Sequence, residues 1–351
     1  MRALTLLFLC ILTCCLPQLA RAELMIGGYP PGASSEHPIR QFSATAQGTT
    51  AAVRQIGGPT TTLNGPANAS YEPVENLIYV SDYWGQAIKV FPAFASGDPA
   101  PLRVLNPPLL GQPRASVPMA ALDELIVIAS NCCIYTFPLH ASGTSVNRIR
   151  SINWGGGSSS TQLNNPSSLI WLPGTDEVAV VDYDFNAPYA AKVVFHARTS
   201  DGSPAPTRVL KSIHTENAAA IAHDPGQHKL YLLTYTTPDN FVFEAQVRVF
   251  ADTASGTDAP LYIIAGPATQ LGYDNPQYPT GIGIDQPLQR LMVAIGANGD
   301  PDNNRVVSFA LGASGDATPV QVLSGASLSP GTIGAPFAVP VDILFKNGFE
   351  N

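Results

Sequence analysis

Residues 40–56 read RQFSATAQGTTAAVRQI and residues 89–105 read KVFPAFASGDPAPLRVL. The two stretches align without a gap at an offset of 49, and six of the 17 positions are identical. Each holds an alternating β-rich run ending in an aromatic residue, then a turn carrying a glycine, then a second β-rich run. Glycine tolerates the positive φ that tight connections between antiparallel strands demand, so the unit reads as a hairpin. It recurs in residues 135–152, 192–210, 247–264 and 306–323. The anchoring aromatics are Phe42, Phe91, Phe137, Phe195, Phe250 and Phe309, and the turn glycines are Gly48, Gly97, Gly143, Gly202, Gly256 and Gly315. Six copies of one hairpin make a repeat architecture, for which chain length is no guide to domain number.

Between successive hairpins lies a second strand pair, for example residues 68–73 then 76–82, or 166–172 then 177–182. The runs LIYV, LIVIA, VAVV, LYLL and LMVAI are short, apolar and bounded by turn residues, as buried strands are. Four strands per unit, spaced 46 to 59 residues apart by the aromatic, fit a propeller blade. The fold expected is all-β, a six-bladed β-propeller with four-stranded blades. Five inner strand pairs are visible, and the sixth must be assembled from residues 336–345 and 23–29. The ring is therefore closed by pairing of N- and C-terminal strands, which removes two exposed sheet edges.

Outside the repeats, the first 22 residues read as an export signal. Arg2 supplies the charged start, residues 4–16 are apolar, and Ala20-Arg21-Ala22 is a small-x-small cleavage site. The apolar run is too short to span a membrane as a helix, and no other stretch comes close. The expected organisation is a signal peptide over 1–22, one propeller over 23–346 and a tail over 347–351, in a secreted or periplasmic monomer that is not membrane-spanning. Removing the signal moves the formal charge from −8 to −10 over 329 residues, which argues against nucleic acid as a partner. Only 13% of residues are charged while Gly and Pro together number 62, a composition suited to short strands and turns.

The connectors share a phrase as well: Gly58-Pro59 before TTTLNGP, Gly157 before SSSTQLNNP, and Gly266-Pro267 before ATQLGYDNP. Together with IYVSDYWGQAIKVF over residues 78–91, this resembles the NHL-type repeat of six-bladed propellers, where a strand like I-Y-V-x-D precedes one like I-x-V-F. The resemblance covers most of the mature chain. Thr234 and Gly296 depart from it where an acidic residue recurs in the family. The last residues, ILFKNGFEN, resemble short tails ending in Gly-Phe-Glu on exported proteins of some Gram-negative bacteria.

On such a scaffold, function is expected in the turns between second and third strands, residues 82–86, 183–190, 234–244 and 296–305. These supply Tyr83, Trp84, Tyr183, Asp184, Phe185, Tyr189, Asp239 and Phe241, aromatics and acids suited to a protein or carbohydrate ligand. The bland alternative is that the aromatics fold back to cap their own blades. Asp300, Asp302 and Asn304 space oxygen donors as a calcium loop does, but Arg305 and Leu311 stand where an EF-hand needs glycine and glutamate. The expectation is no cofactor, with calcium at this turn as the alternative to a solvated turn. His223 and His228 flank one turn, with no third ligand evident. The innermost-strand stretches PANASY, ASVPMA, PSSLIW, NAAAIA, PTGIGI and PFAVPV carry no carboxylate and no histidine. That favours a binding scaffold over a metal-dependent hydrolase or lyase of the gluconolactonase type, the second reading. The adjacent Cys132 and Cys133 sit at a tight turn, either as a vicinal disulfide or as two thiols on opposite sheet faces.

Overall fold

The computed structural model describes residues 22–29, 38–130, 133–153, 160–184, 190–239, 242–274, 277–297, 300–329 and 331–340. They form six four-stranded antiparallel blades in a ring. Blade I comprises Pro66–Glu72, Leu77–Asp82, Ala87–Pro92 and Arg103–Leu105. Blade II comprises Pro113–Met119, Glu124–Ala129, Cys133–Pro138 and Arg150–Asn153, and blade III Pro166–Leu172, Glu177–Asp184, Ala190–Ala197 and Arg208–Leu210. Blade IV is Ala218–Asp224, Lys229–Asp239, Val242–Ala251 and Tyr262–Ile264, and blade V Gln277–Asp285, Arg290–Ala297, Arg305–Ala310 and Gln321–Ser324.

Blade VI closes the ring as expected. Its innermost strand, Phe337–Pro340, comes from the C-terminal end and pairs with Ala22–Ile26 from the N-terminal end, which pairs in turn with Ile39–Phe42 and then Arg54–Ile56. The chain is thus fastened to itself by backbone hydrogen bonds between its two ends.

Second strands are buried on both faces because each blade lies between two others. Leu77–Asp82 and Glu124–Ala129 are buried at every position, which is why they read as continuous apolar runs and not as alternating ones. Among the described residues the apolar core divides into six clusters, each shared by two adjacent blades. The six anchoring phenylalanines are fully buried. Phe42, Phe91, Phe137, Phe250 and Phe309 lie in clusters shared with the preceding blade. Phe195 faces blade IV and lies under the guanidinium of Arg208, 3.6 Å from its ring centre.

The turn glycines do more than reverse the chain. Each forms an isolated parallel bridge to the outer strand of the preceding blade: Gly97 to Ile56, Gly143 to Leu105, Gly202 to Ile152, Gly256 to Leu210, Gly315 to Ile264 and Gly48 to Leu323. Gly202 donates its N–H to Ser151 O at 2.7 Å and accepts from Asn153 N at 2.8 Å, and the other five repeat this pair of bonds. All six have positive φ, between 56° and 90°. A neighbouring aspartate adds a second tie. Asp98 Oδ1 accepts from the amides of Thr60 and Thr61, Asp316 Oδ1 from that of Ala268, and Asp201 Oδ1 from that of Ser151.

A Cβ at Gly202 would meet nothing within 4 Å, so replacing this glycine is costly only through its φ of +75°. Gly202→Ala should therefore destabilise the fold by roughly 1–2 kcal/mol, and Gly202→Asn by less, because asparagine tolerates the left-handed region. Equilibrium urea unfolding of the three proteins checks the order.

Candidate functional site

The innermost strands surround an axial channel of about 720 Å³. It opens on a face formed by the connectors between blades and the turns between second and third strands, here called the upper face. Tyr83 N–H donates to Gly65 O, which ties that turn to its connector. The lower face carries the other turns, where Ala93 N–H donates to Asn76 O.

Inner strands begin irregularly, and this shapes the channel. The register to the second strand slips by one residue at Pro66/Asn68, Pro166/Ser168, Ala218/Ala220 and Pro279/Gly281, and against Ile128/Ala129 in blade II. These are β-bulges, which leave one residue unpaired and re-aim its side chain. The bulged residues are Ala67, Arg114, Ser167, Ala219 and Thr280, and all five line the channel. Deeper in, the walls include Val117, Ile170, Ile221, Ile282 and Ile284, with His223 and Gln286 towards the lower end.

The inner strands run further than the stretches singled out in the sequence, and this corrects the reading that they carry no histidine and no carboxylate. Arg114 and His223 belong to them, as do the terminal acids Glu72, Asp224 and Asp285. The acids are structural. Glu72 accepts from Glu75 N, Asp224 from Gly226 N and Gln227 N, and Asp285 from Leu288 N, each closing the tight turn that follows.

Asp82 and Asp182, towards the upper ends of their second strands, are also structural. Asp82 accepts from the amide of Asn64 and pairs with Lys89 Nζ at 2.6 Å, both side chains being buried. Asp182 repeats the arrangement with the amides of Asn164 and Asn165 and with Lys192 Nζ at 3.5 Å. Burial pushes the Asp182 carboxyl up, against the pull of those donors. In blade II, Ser130 Oγ accepts from Gln112 N in the same role. The I-Y-V-x-D phrase therefore fastens a connector to its blade.

The structure divides the expected site residues. Trp84 is 42% exposed on the upper face, packed edge-on against Tyr83 with ring centres 5.0 Å apart. Its ring leans on Gly65, where a Cβ would lie 2.6 Å from Trp84 Cδ1. Tyr83 is half-buried and lines the channel. Tyr183 is a strand residue packed against the core between blades III and IV, so it caps its own blade instead of projecting. Asp184 ends the same strand, and Asp239 ends the second strand of blade IV. Phe185, Tyr189, Phe241 and Cys132 lie outside the described residues. Cys133 opens the third strand of blade II in disulfide form.

Residues 234–239 and 242–244 are strand, not loop. The second and third strands of blade IV extend as a long hairpin paired to Asp239↔Val242, and Gly272–Asp274 adds to its flank. Asp300 caps a short 3-10 turn over Pro301–Asn303, accepting from Asp302 N at 3.1 Å and from Asn303 Nδ2 at 2.7 Å. The Asn304 side chain is buried and donates to Gly331 O at 2.5 Å. On the lower face, Asp252 Oδ2 lies 3.4 Å from His223 Nε2 and 3.1 Å from His228 Nδ1, supplying the carboxylate that the sequence spacing did not show. Among the described residues, no three His, Cys, Asp or Glu side chains gather as a metal site.

Two residues escaped the sequence reading. Tyr278, 43% exposed, stands at the upper end of blade V's inner strand. Arg114 has a legible signal: aligning Pro66, Pro113, Pro166 and Pro279 puts it in register with Ala67, Ser167 and Thr280. Proline at the start of a strand or at a bulge is where sheets tolerate it.

No known family model matches the chain, and no curated protein matches its sequence. Its fold does match solved structures. One is in a nidogen/laminin complex, with a TM-score of 0.59 and 11% identity over 90% of this chain and 98% of that one. A 6-phosphogluconolactonase-like protein of Bacteroides fragilis gives 0.51 and 12% identity, covering 91% and 98%. Hydrazine synthase of Kuenenia stuttgartiensis gives 0.51 and 14%, covering 78% and 70%. At these identities the likeness is one of fold, a β-propeller.

His196 gives the site's scaffold a pH dependence. It is fully buried in blade III, its Nε2 donates to Thr161 O at 3.1 Å, and its buried Nδ1 has no partner among the described residues. Burial pushes its pKa below the ordinary 6.5, against the pull of the Thr161 carbonyl. The unfolded chain then binds a proton that the fold refuses, so stability is complete above pH 6.5 and is lost as the pH falls below it. His223, also pushed down by burial, adds the same sign. The melting temperature should fall between pH 7.5 and pH 5.5 (roughly one unit either side of the ordinary histidine value), and by less in His196→Gln, as calorimetry of both proteins would show.

Proposed function

We propose that this chain is an exported binding propeller, built of NHL-type blades, that acts in the periplasm or outside the cell as a monomer and presents its upper face to a protein or carbohydrate partner. The observation that carries this reading is the exposure of Trp84 and Tyr278 on a rigid face. A large aromatic held in one orientation by Tyr83 and Gly65 gives contact area with little ordering cost. The net charge of −8 sets nucleic acid aside as a partner. The nidogen/laminin structure, a propeller of like fold in complex with a protein, supports the same use of the scaffold. Export rests on residues 1–22, whose removal would leave the closing pairs Glu23↔Val339 to Met25↔Phe337 in place.

Immobilised mature protein should capture a partner from the secretome or from a glycan panel, and the double variant Trp84→Ala/Tyr278→Ala should reduce capture at least about tenfold with an unchanged far-UV spectrum, since central aromatic anchors are worth 2 kcal/mol or more. Capture unaffected by the double variant would rule out this face.

Export also bears on the cysteines, since the mature chain keeps only Cys132 and Cys133. In an oxidising compartment they form a disulfide with each other. Intact mass of the non-reduced protein should be two hydrogens below the reduced value.

A further inference from the structure

The bulge ring at the top of the channel is uniform except at one place. Ala67, Ser167, Ala219 and Thr280 are small, as convergence of the blades near the axis requires, whereas blade II contributes Arg114. Its guanidinium is held from behind. Nη1 donates to Asn165 Oδ1 at 2.6 Å and to Pro166 O at 2.8 Å, both where the chain enters blade III.

Those two bonds fix the group and leave Nε and Nη2 with no protein acceptor among the described residues. Arg103, Arg150, Arg198 and Arg208 each have a carboxylate partner, at 3.6, 2.6, 2.6 and 2.8 Å. Arg114 forms no ion pair with any described residue and, like Arg40, Arg248 and Arg290, donates to neutral oxygens. Its two bonds tie blade II to blade III, and the half-buried cation also borders an apolar cavity in a chain of net charge −8. Charge-assisted bonds from an oriented guanidinium to an oxyanion are strong and directional. Below it the wall is apolar through Val117, Ile170, Ile221 and Ile282, and a cavity of about 720 Å³ has the size of a small-molecule site.

We propose that the axial channel binds a small organic anion with an apolar body, its charged head held by Arg114 at the upper mouth and its body lying along the channel wall. The channel opens on the same upper face, but Trp84 and Tyr278 are not among its lining residues.

The test uses 8-anilinonaphthalene-1-sulfonate as the anionic probe and N-phenyl-1-naphthylamine as its neutral counterpart, titrated by fluorescence into the full mature protein. The wild type should bind both. Arg114→Met should weaken the sulfonate by about tenfold or more, on the scale of one charge-assisted bond, and leave the neutral probe within about twofold. Arg114→Lys should retain part of the difference, and Ala219→Phe, which fills the channel, should weaken both probes. Decanoate should displace the sulfonate from the wild type and not the neutral probe from Arg114→Met. Equal sulfonate affinity in Arg114→Met and wild type would overturn the proposal, as would probe binding untouched by Ala219→Phe. Melting curves establish that each variant is folded. Trp84→Ala/Tyr278→Ala should bind both probes as the wild type does, so failure of the partner face and failure of the channel site are read separately.

Discussion

A propeller blade cannot stand alone, because its second and third strands are apolar on both faces. The interaction on which this molecule depends is the one that holds each blade against the last: a glycine in the left-handed region, inserted beside the outer strand of its predecessor and bonded to it through both N–H and C=O. Apolar burial between blades is strong but non-directional. The two backbone bonds per interface set the angle and the height at which neighbours meet. Six such contacts close on themselves, from Gly97 on the Arg54–Ile56 strand round to Gly48 on the Gln321–Ser324 strand. The arrangement succeeds only if every turn carries a residue that accepts positive φ, which is why the glycine persists where the rest of the repeat has drifted.

Fixing the blades from outside leaves the axis to be filled by whatever the inner strands present. Small residues dominate there for steric reasons, and bulges at the strand entrances of blades I to V turn one side chain of each towards the axis. A bulge sacrifices a ladder bond, which the proline at four of the five entrances could not have donated. The entrance is thus cheap to deform, and a functional side chain can be placed there at little cost to the sheet. Arg114 occupies that position and Tyr83 reaches the same opening from the blade before it. The upper face, made of connectors pinned by Asp82, Asp182 and Ser130, gives Trp84 and Tyr278 a firm base.

The sequence by itself determined the number of blades, the strand order within each, the buried phenylalanines, the glycine turns and the closure of the ring by the two ends. All of these follow from local pattern repeated six times, and repetition separates signal from chance. It did not determine which polar side chains serve the fold and which remain available. Asp82 looked like part of a ligand-facing turn and is consumed by a connector and a lysine, Tyr183 looked like a surface aromatic and packs into a blade interface, and Arg114 was passed over because a one-residue slip at the strand entrance decides where it points. Those outcomes rest on contacts between segments some 20 to 50 residues apart (the span of one repeat), which no local pattern encodes; the tertiary structure settles them because only the assembled ring brings the bulges of five blades to one axis.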